Sequence, residues 1–557
     1  MKTRAFLKRT VFLAAITLLL SCASKQEYKM AEQTPAPYIS GGSSAIVAHE
    51  RSACPDLPAA FEGSAFEYLQ AIVSTGDRRT GTLECRCSQF LVGDAFARLG
   101  YEVEELDYTF PYYQFDPGDF GVTRVSDGRE FAAYPMHYSA PLNGARRGVV
   151  KLPVGDLDGC FVFVPGFPSL PGDFKKRSQK WRDQGALGVI READLRPLAA
   201  KGLLHSARAH PTSWYYSPLP GLVVADAREL LGEEIEVRGK AEIVRGQGVN
   251  IVARGPVSPG GYVLVTAHID SWFEGALDDA SGVAVMLAAA RLLKDDPEGL
   301  IFLAADSEEI GLIGSAAYVQ HYGVDEVAAV IELDMVSSLN NYTRRSPEGG
   351  PLMPRLISVS KGMGPWVRPH FKELSGRNLV VPINLTIALT GGLPTDMEWF
   401  YRAGTPGVFV YAPSYYYHTP RDTIEWIPED DINQMAHVIA ALARELRANA
   451  GRVPAVSGFQ DFDFEVEPSA GDTVSFELRL RDGGASSLPG LVKAAVNCYF
   501  ENGFEDKVEL EREPDGAWRG TWRPPRPGEW QFLAVVSKGR NSGKKWRSLT
   551  LPPDQPG

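Results

Sequence analysis

Apolar residues follow several successive patterns along this chain, and each pattern predicts a different kind of element. Residues 61–99 repeat apolar positions at helical spacing, and residues 100–108 alternate as a half-buried strand does. Residues 121–244 change to short strands and turns around one basic helix, residues 174–183. Residues 262–446 alternate apolar strands with helices, which favours a mostly parallel sheet covered on both faces.

The segment 262–446 gives the clearest elements, because its strands are mostly apolar. The predicted buried strands are residues 263–267, 300–305, 327–333 and 408–411. Residues 281–293 form a helix that is apolar nearly all round. The last helix begins at Pro428 and has one apolar stripe, formed by Ile432, Met435, Ile439, Leu442 and Leu446. The predicted fold class is therefore α/β, with a mostly parallel, doubly wound sheet.

Helical spacing stops near residue 454. Apolar and polar residues then alternate over residues 462–466 and 474–480, as they do in half-buried strands. Gly and Pro turns surround three tryptophans, Trp518, Trp522 and Trp530. This segment of about 100 residues predicts a C-terminal β-sandwich. Its aromatic side chains are expected in the core, and a carbohydrate-binding face is the alternative.

A chain of 557 residues exceeds what one hydrophobic core supports, so several domains are expected. The predicted division is a signal peptide, residues 1–21; a flexible tether, residues 22–57; an α/β domain, residues 58–120 and 246–450; a small α/β insert, residues 121–245; and the β-sandwich, residues 458–557. The insert resembles a protease-associated domain, a lid-like module found in several peptidases. An unrelated α/β insert would give a similar pattern.

The first 22 residues differ from the rest of the chain. A basic start precedes an apolar run, residues 11–20, which is too short to span a bilayer but suits a signal peptide. The run ends at Ser21 and Cys22, which resembles a bacterial lipoprotein signal with the lipid attached to Cys22. We therefore expect an anchored protein of the bacterial envelope, facing the periplasm or the exterior. An ordinary secretory peptide is the alternative.

Composition narrows the function classes. Hydrophobic residues make up 44% and charged residues 23%, as in an ordinary globular protein. The net charge of -12, without a basic stripe, argues against nucleic acid as a partner. The five cysteines beyond Cys22 do not form a disulfide framework. One bridge from Cys54 to Cys85 or Cys87 stays open, and a zinc finger is disfavoured because no second cysteine pair exists.

Five chemically matched residues lie at or just beyond the carboxyl ends of predicted strands, and they are His268, Asp278, Glu309, Asp334 and His418. Carboxyl ends of parallel strands share one edge of an open sheet, which is where such folds bind ligands. Imidazoles and carboxylates together suit zinc, with manganese or cobalt as substitutes. Each residue alone has a structural explanation. The set predicts a metal site.

The sequence around these residues resembles a known family of enzymes. The matching stretches are residues 268–272, 275–282, 307–315, 332–335 and 418–423. They are similar to the co-catalytic dinuclear zinc exopeptidases, which include bacterial leucyl aminopeptidases, plasma glutamate carboxypeptidase and prostate-specific membrane antigen. The resemblance covers residues 61–448 and implies a peptide substrate and two Zn²⁺ per chain. It implies that Asp278 bridges both ions, and that the remaining ligands pair as His268 with Asp334 and Glu309 with His418.

The same resemblance implies roles for residues around the metals. Asp270 would fix the imidazole of His268, and Glu308 would be the general base. Tyr417 would donate a hydrogen bond to the developing oxyanion. Thr395 stands in a substrate-lining stretch where relatives carry Ser or Asn, so the resemblance implies that it contacts substrate.

Asp279 bears on which end of a peptide is cleaved. A carboxylate next to the bridging Asp278 would attract a free amino terminus and repel a terminal carboxylate. The carboxypeptidase branch of the family carries Pro at this position. Asp279 could instead cap the following helix. The prediction is an aminopeptidase or dipeptidase. The alternatives are a carboxypeptidase, a single-zinc glutaminyl-cyclase-like enzyme and a non-catalytic envelope lipoprotein that binds a partner.

Overall fold

The computed structural model describes most of the chain beyond residue 62. The described residues are 51–54, 63–137, 139–165, 171–192, 207–208, 217–339, 354–390, 393–453, 456, 462–469, 472–480, 492–500, 503–538 and 541–552. The predicted signal peptide, the lipid-attachment residue Cys22 and most of the predicted tether lie outside these residues. Within the described ranges, no helix combines the length and apolar character needed to cross a membrane.

The helices follow the predicted apolar spacing. They are α1 (Ala65–Val73), α2 (Leu83–Arg98), α3 (Pro171–Asp183), α4 (Ser281–Leu293), α5 (Ile313–Tyr322), α6 (Gly364–Lys372), α7 (Ile383–Thr390), α8 (Met397–Ala403) and α9 (Glu429–Ala448). Ser64 and Glu67 form a capping box that starts α1. Nearly every side chain of α4 is buried, whereas α9 buries the one predicted stripe.

The strands of the α/β domain and the insert join one large mixed sheet. They are β1 (Glu102–Phe115), β2 (Gly121–Arg124), β3 (Glu130–Phe131), β4 (Ala133–His137), β5 (Asn143–Lys151), β6 (Cys160–Val164), β7 (Gly188–Glu192), β8 (Ala207–Arg208), β9 (Gly221–Val224), β10 (Glu234–Arg254), β11 (Tyr262–His268), β12 (Leu300–Ala305), β13 (Val327–Asp334), β14 (Arg355–Val359), β15 (Asn378–Pro382) and β16 (Gly407–Tyr411).

The part of the sheet that carries the predicted ligands is parallel. Strand β11 pairs in parallel with β12 and β13, and β13 pairs in parallel with β16. Antiparallel pairs flank this group, β10 with β12 and β14 with β16. The carboxyl ends of β11, β12, β13 and β16 therefore point to the same edge, as the sequence predicts.

Two long strands connect the α/β domain to the insert. Strand β1 pairs with β10 from Glu102 opposite Arg254 to Phe115 opposite Ala241. The first part of β10 pairs with β2 and β5 of the insert, and its last residues pair with β12 of the α/β domain. The predicted division between residues 245 and 246 thus falls inside one continuous strand, because the alternating pattern of β10 continues through it.

The C-terminal segment folds into two four-stranded antiparallel sheets. Their strands are β17 (Phe462–Ser469), β18 (Thr473–Leu480), β19 (Val492–Phe500), β20 (Gly503–Glu509), β21 (Glu511–Arg512), β22 (Trp518–Trp522), β23 (Gly528–Lys538) and β24 (Asn541–Leu551). The sheets enclose a core that contains Trp518, Trp522 and Trp530. The predicted core role of these aromatic residues agrees with this packing.

A disulfide joins Cys54 to Cys87 and so ties the chain before α1 to α2. The sequence left Cys85 and Cys87 as alternative partners. Cys85 is a buried free thiol whose Sγ lies 3.7 Å from the Asp306 carboxylate. Beside the bridge, Arg51 forms an ion pair with Asp94 of α2.

Candidate metal centre

The five predicted ligands come together at the carboxyl edge of the parallel strands. His268 is the last residue of β11, and Asp334 is the last residue of β13. Glu309 follows β12, and His418 follows β16. Asp278 lies in the short turn that precedes α4. The alternation of strands and helices therefore places side chains from 150 residues of sequence in one cluster, as expected for an open α/β sheet.

The carboxylate of Asp278 lies between the two histidines. Its Oδ1 is 3.1 Å from Nε2 of His268, and its Oδ2 is 3.2 Å from Nε2 of His418. Glu309 Oε2 is 2.9 Å from the same His418 nitrogen, and Asp334 Oδ1 is 4.0 Å from Nε2 of His268. Two groups of ligand atoms result, each within 4.8 Å and both sharing Asp278.

The chemistry of this cluster fits bound cations. Asp334 Oδ1 and Glu309 Oε1 are buried and accept no hydrogen bond from the described residues. Burial, followed by repulsion from Asp278, holds the pKa of Asp334 well above its usual range, and burial also raises the pKa of Glu309. Buried carboxylates in such a set are costly unless a cation neutralises them. The donor set, two imidazoles and three carboxylates, suits zinc.

Asp270 supports both His268 and the segment after β12. Its backbone carbonyl lies 3.0 Å from Nδ1 of the imidazole, whereas its carboxylate Oδ1 is 3.6 Å away. That carboxylate accepts hydrogen bonds from the backbone amides of Glu308 and Glu309, each at 3.1 Å. Asp270 thus orients the imidazole mainly through its main chain and fixes the backbone of two site residues through its side chain.

Glu308 and Tyr417 lie beside the cluster without joining either ligand group. Glu308 is 7% exposed, and its charge raises the pKa of His268 against the lowering effect of burial. The ring of Tyr417 stacks on that of His418, with centroids 3.6 Å apart. Burial, and then the charges of Asp278 and Glu309, hold the Tyr417 pKa well above its usual range, so the phenol stays protonated.

Asp279, which was predicted to attract a free amino terminus, is buried and hydrogen-bonded to the backbone. Its side chain is 0% exposed. Its carboxylate accepts hydrogen bonds from three backbone amides, those of Gly282 (2.9 Å), Met335 (3.0 Å) and His268 (3.3 Å). Three of the roughly four acceptor positions of this carboxylate are therefore used by the backbone. Asp279 thereby caps the first turn of α4 and ties together the ends of β11 and β13.

The side chain of Thr395, the predicted substrate contact, also serves the backbone. Its side chain is buried, and its Oγ1 accepts a hydrogen bond from the amide of Met397 at the start of α8. The prediction placed it correctly in sequence near the site but could not give the direction of its side chain. A hydroxyl just before a helix commonly caps that helix, and this is its role here.

Two buried residues that the sequence did not single out organise the loops of the site. Asp422 accepts hydrogen bonds from the amides of Leu277 and Asp278, both at 3.0 Å, and burial together with Asp278 raises its pKa to about 7. Arg78 donates to the carbonyls of Ile269, Glu274 and Gly275. Asp422 could have been found from its place in the same short stretch as His418. Arg78 lies in a turn-rich loop without such a signal.

The insert contributes a wall next to the metal-ligand cluster. The ring of Trp272 lies 6.3 Å from that of His418 and 6.1 Å from that of Tyr134 in β4. Tyr134 and Phe273 line a cavity of about 510 Å³ between the insert and the α/β domain. An aromatic side chain of the insert, Tyr134, therefore lies next to Trp272, which in turn lies next to the ligand His418.

The segment that carries these site residues is similar to known peptidases. Residues 250–443 match the sequence profile of peptidase family M28. Aminopeptidase YwaD of Bacillus subtilis is 31% identical over 198 residues, which are 33% of this chain and 40% of that protein. A glutamate carboxypeptidase 2 homolog of Caenorhabditis briggsae is 30% identical over 36% of this chain and 28% of its own length. The chain thus spans less than half the length of these relatives.

Solved structures share the fold of the α/β domain. A zinc aminopeptidase from Bacillus subtilis superposes with a TM-score of 0.56 at 20% identity, covering 69% of this chain and 94% of that one. A peptidase M28 precursor from Shewanella amazonensis gives a TM-score of 0.52 at 17% identity, covering 68% and 92%. The strand order agrees with these folds, and residues 250–443, which carry the clustered ligands, are similar to peptidase family M28.

Proposed function

We propose that this protein is a zinc-dependent metallo-exopeptidase that removes residues from the amino end of peptides, as an aminopeptidase or a dipeptidase. The observation that carries the proposal is the position of the Asp278 carboxylate, with one oxygen directed to each of two ligand groups. A carboxylate shared in this way is the arrangement that a pair of metal ions requires. The M28 profile match supports the same reaction class.

The five ligands divide naturally into two sets. His268 and Asp334 would hold one zinc ion, Glu309 and His418 would hold the other, and Asp278 would be shared. Bound zinc ions would lower the pKa of a water and stabilise developing negative charge on the scissile carbonyl. Mn²⁺ or Co²⁺ would satisfy the same donor set.

Glu308 is the residue proposed to move the proton. It lies outside both ligand groups, is 7% exposed, and directly precedes the ligand Glu309 in the chain. Its backbone amide is held by Asp270. A carboxylate in this position accepts a proton from the attacking water and delivers it to the leaving amine, because it is not occupied as a ligand.

Tyr417 is proposed to donate a hydrogen bond to the developing oxyanion. Its raised pKa keeps the phenol protonated at neutral pH, which is the form that donates. Stacking on His418 fixes the plane of the ring. A preoriented donor of this kind costs little reorganisation when charge develops.

The choice of the amino end does not depend on Asp279 alone, because that carboxylate is buried and accepts three hydrogen bonds from backbone amides. It rests on the similarity to aminopeptidase YwaD and to the fold of zinc aminopeptidases. Hydrolysis of a peptide from its carboxyl end is the alternative that the glutamate carboxypeptidase homologs suggest. A glutaminyl-cyclase-like reaction with one zinc is disfavoured, since the full set of five ligands is assembled.

A substrate panel tests this proposal. The full chain is assayed on aminoacyl chromogenic substrates, on the same peptides with an N-acetyl group, and on peptides with an amino-terminal glutamine, with and without a chelator. We expect hydrolysis only of substrates with a free amino terminus, lost with chelator and restored by zinc. Cleavage of acetylated peptides from the carboxyl end, cyclisation of the glutamine, or no turnover at all would each favour one of the alternatives.

The proposal includes a lipid anchor at Cys22 in the bacterial envelope. The Cys54–Cys87 disulfide supports it, because such bridges persist in oxidising compartments. Cys22→Ala should move the protein from the membrane fraction to the soluble fraction. Wild-type protein that is soluble without detergent would contradict the anchor and leave the peptidase proposal intact.

A further inference from the structure

The C-terminal β-sandwich packs directly against the α/β domain. The ring of Trp546 in β24 lies 5.7 Å from that of Trp399 in α8 and 5.1 Å from that of Tyr499 in β19. Leu533 and Val535 of β23 belong to the same hydrophobic core as Met397 and Phe400 of α8 (core residues Tyr499, Leu533, Val535, Met397, Trp399 and Phe400). The two domains therefore share a continuous apolar interface at α8.

A buried lysine crosses this interface. Lys544 of β24 is only 16% exposed at its side chain, and its Nζ lies 3.4 Å from Oε1 of Glu398 in α8. The same Nζ lies 4.4 Å from the centre of the Trp399 ring, which adds a cation–π contact. Both partners belong to the α/β domain. Burying an ammonium group is costly without such partners, so this contact is a specific feature of the interface.

Glu398 links the lysine to the main chain before α8. Its Oε1 also accepts a hydrogen bond from Nε of Arg402 at 3.1 Å, and its Oε2 accepts one from the backbone amide of Leu393 at 3.0 Å. The carboxylate is 3% exposed. Lys544 and Arg402 thus fix a carboxylate whose other oxygen holds the segment that leads to Thr395 and Asp396.

This segment touches the helix that follows the proposed general base. Asp396 accepts a hydrogen bond from the hydroxyl of Ser315 in the first turn of α5. The rings of Tyr318 in α5 and Phe400 in α8 lie 5.6 Å apart. The chain just before α5 carries Glu308 and Glu309. A series of direct contacts therefore runs from the sandwich through α8 and Asp396 to α5, which begins four residues after Glu309.

We propose that Lys544 is a positioning residue for the metallopeptidase site, through which the C-terminal sandwich holds α8, Asp396 and the start of α5 in place. The activity part of this inference rests on the proposed function. The sandwich is accordingly part of the catalytic unit. When the contact of Lys544 with Glu398 is broken, the segment that carries Glu308 moves, but no metal ligand is removed.

The test compares four variants of the full chain. Lys544→Met removes the charge and keeps the apolar length, Lys544→Arg keeps the charge, and Glu398→Gln weakens the link from the other side. Lys507→Met is the matched control, because Lys507 pairs with Glu509, a residue of the same domain. Each variant is measured for kcat, KM, zinc content and backbone hydrogen exchange over residues 307–315 and 393–403.

Lys544→Met should lower kcat about tenfold to hundredfold with little change in KM, because small displacements of catalytic groups cost this much. Zinc content should stay at the wild-type value, and hydrogen exchange should rise in both segments. Glu398→Gln should show the same pattern more weakly, Lys544→Arg should restore most of the rate, and Lys507→Met should match wild type.

Unchanged kcat and unchanged exchange in Lys544→Met would overturn the inference, as would an equal loss in Lys507→Met. If Lys544→Met does not fold, Glu398→Gln decides through the same measurements. If wild type hydrolyses no peptide, the proposed function fails, and hydrogen exchange over residues 307–315 still decides whether Lys544 positions that segment.

Discussion

The metal-ligand edge and the C-terminal β-sandwich place their charges in opposite ways. At the edge, the carboxylates of Asp278, Glu309 and Asp334 are all less than 10% exposed. In the sandwich, the acids Glu477 and Asp515 pair with arginines at side-chain exposures of 30% and 45%, and the interior holds aromatic and aliphatic side chains. The edge buries its acidic groups, whereas Glu477 and Asp515 of the sandwich stay partly exposed.

The difference shows how each region is stabilised. Apolar burial dominates in the sandwich, because its core is aromatic and aliphatic and the pairs of Glu477 and Asp515 remain partly in water. The edge needs compensation for every buried carboxylate. Backbone amides satisfy Asp279, Asp422 and Asp270, and bound cations would neutralise the ligands that have no such donors. Removing a charge should therefore have large effects at the edge and small effects at the exposed ion pairs of the sandwich, whereas Lys544 at the interface with α8 is a separate case.

The largest effect is expected for Asp278→Ala. This carboxylate serves both ligand groups, so its loss should release both metal ions and abolish turnover. Zinc content by elemental analysis and hydrolysis of an aminoacyl substrate check the prediction. A variant that keeps two ions and appreciable activity would show that Asp278 is not shared.

The second-largest effect is expected for Glu308→Gln. This variant should retain both metal ions, and its kcat should be lower by about 10²–10⁴-fold. Gln keeps the size of the side chain but cannot accept the proton. Steady-state kinetics and zinc content on the same sample separate this outcome from simple metal loss. Near-normal rates would remove Glu308 from the role of general base.

In the sandwich, the largest effect should come from an apolar residue. Trp530 is 0% exposed and contacts the rings of Trp522 and Phe500 at 4.7 and 5.0 Å. Trp530→Ala should lower the free energy of unfolding of the sandwich by about 3–5 kcal/mol. Denaturant titration measures it, and zinc content of the folded protein should not change. Metal loss at denaturant concentrations where the sandwich is still folded would contradict the separation of the two regions.

The smallest effect is expected for Asp515→Ala. Its ion pairs with Arg479 and Arg519 lie at the surface, where water screens them. We expect no measurable change in the unfolding midpoint, in zinc content or in kcat. A clear loss of stability would show that these surface pairs act as a cooperative network.

The sequence predicted those features that depend on local spacing. The apolar run of residues 300–305 became strand β12, and the stripe from Ile432 to Leu446 became the buried face of α9. Strand ends predicted the ligand cluster, because parallel strands share one edge. The overall fold class, an α/β sheet followed by an antiparallel β-domain, is confirmed by the structure and its structural neighbours.

Features that depend on side-chain direction or on distant contacts could not be predicted in this way. Asp279 and Thr395 lie at the right place in the sequence, but their oxygens point to backbone amides. Lys544 meets Glu398 across 146 residues, and no periodic pattern encodes such a contact. The same limit explains why Arg78 was missed, since its three carbonyl partners are nearly 200 residues away.

The number of zinc ions per folded chain tests the central claim most directly. Elemental analysis of the full chain, purified without chelator and compared before and after removal and return of zinc, gives this number alongside the aminopeptidase rate. The account predicts two ions per chain, activity lost on removal and regained on return. One ion with full activity would favour the single-zinc alternative, and a folded protein that binds none would contradict the dinuclear site.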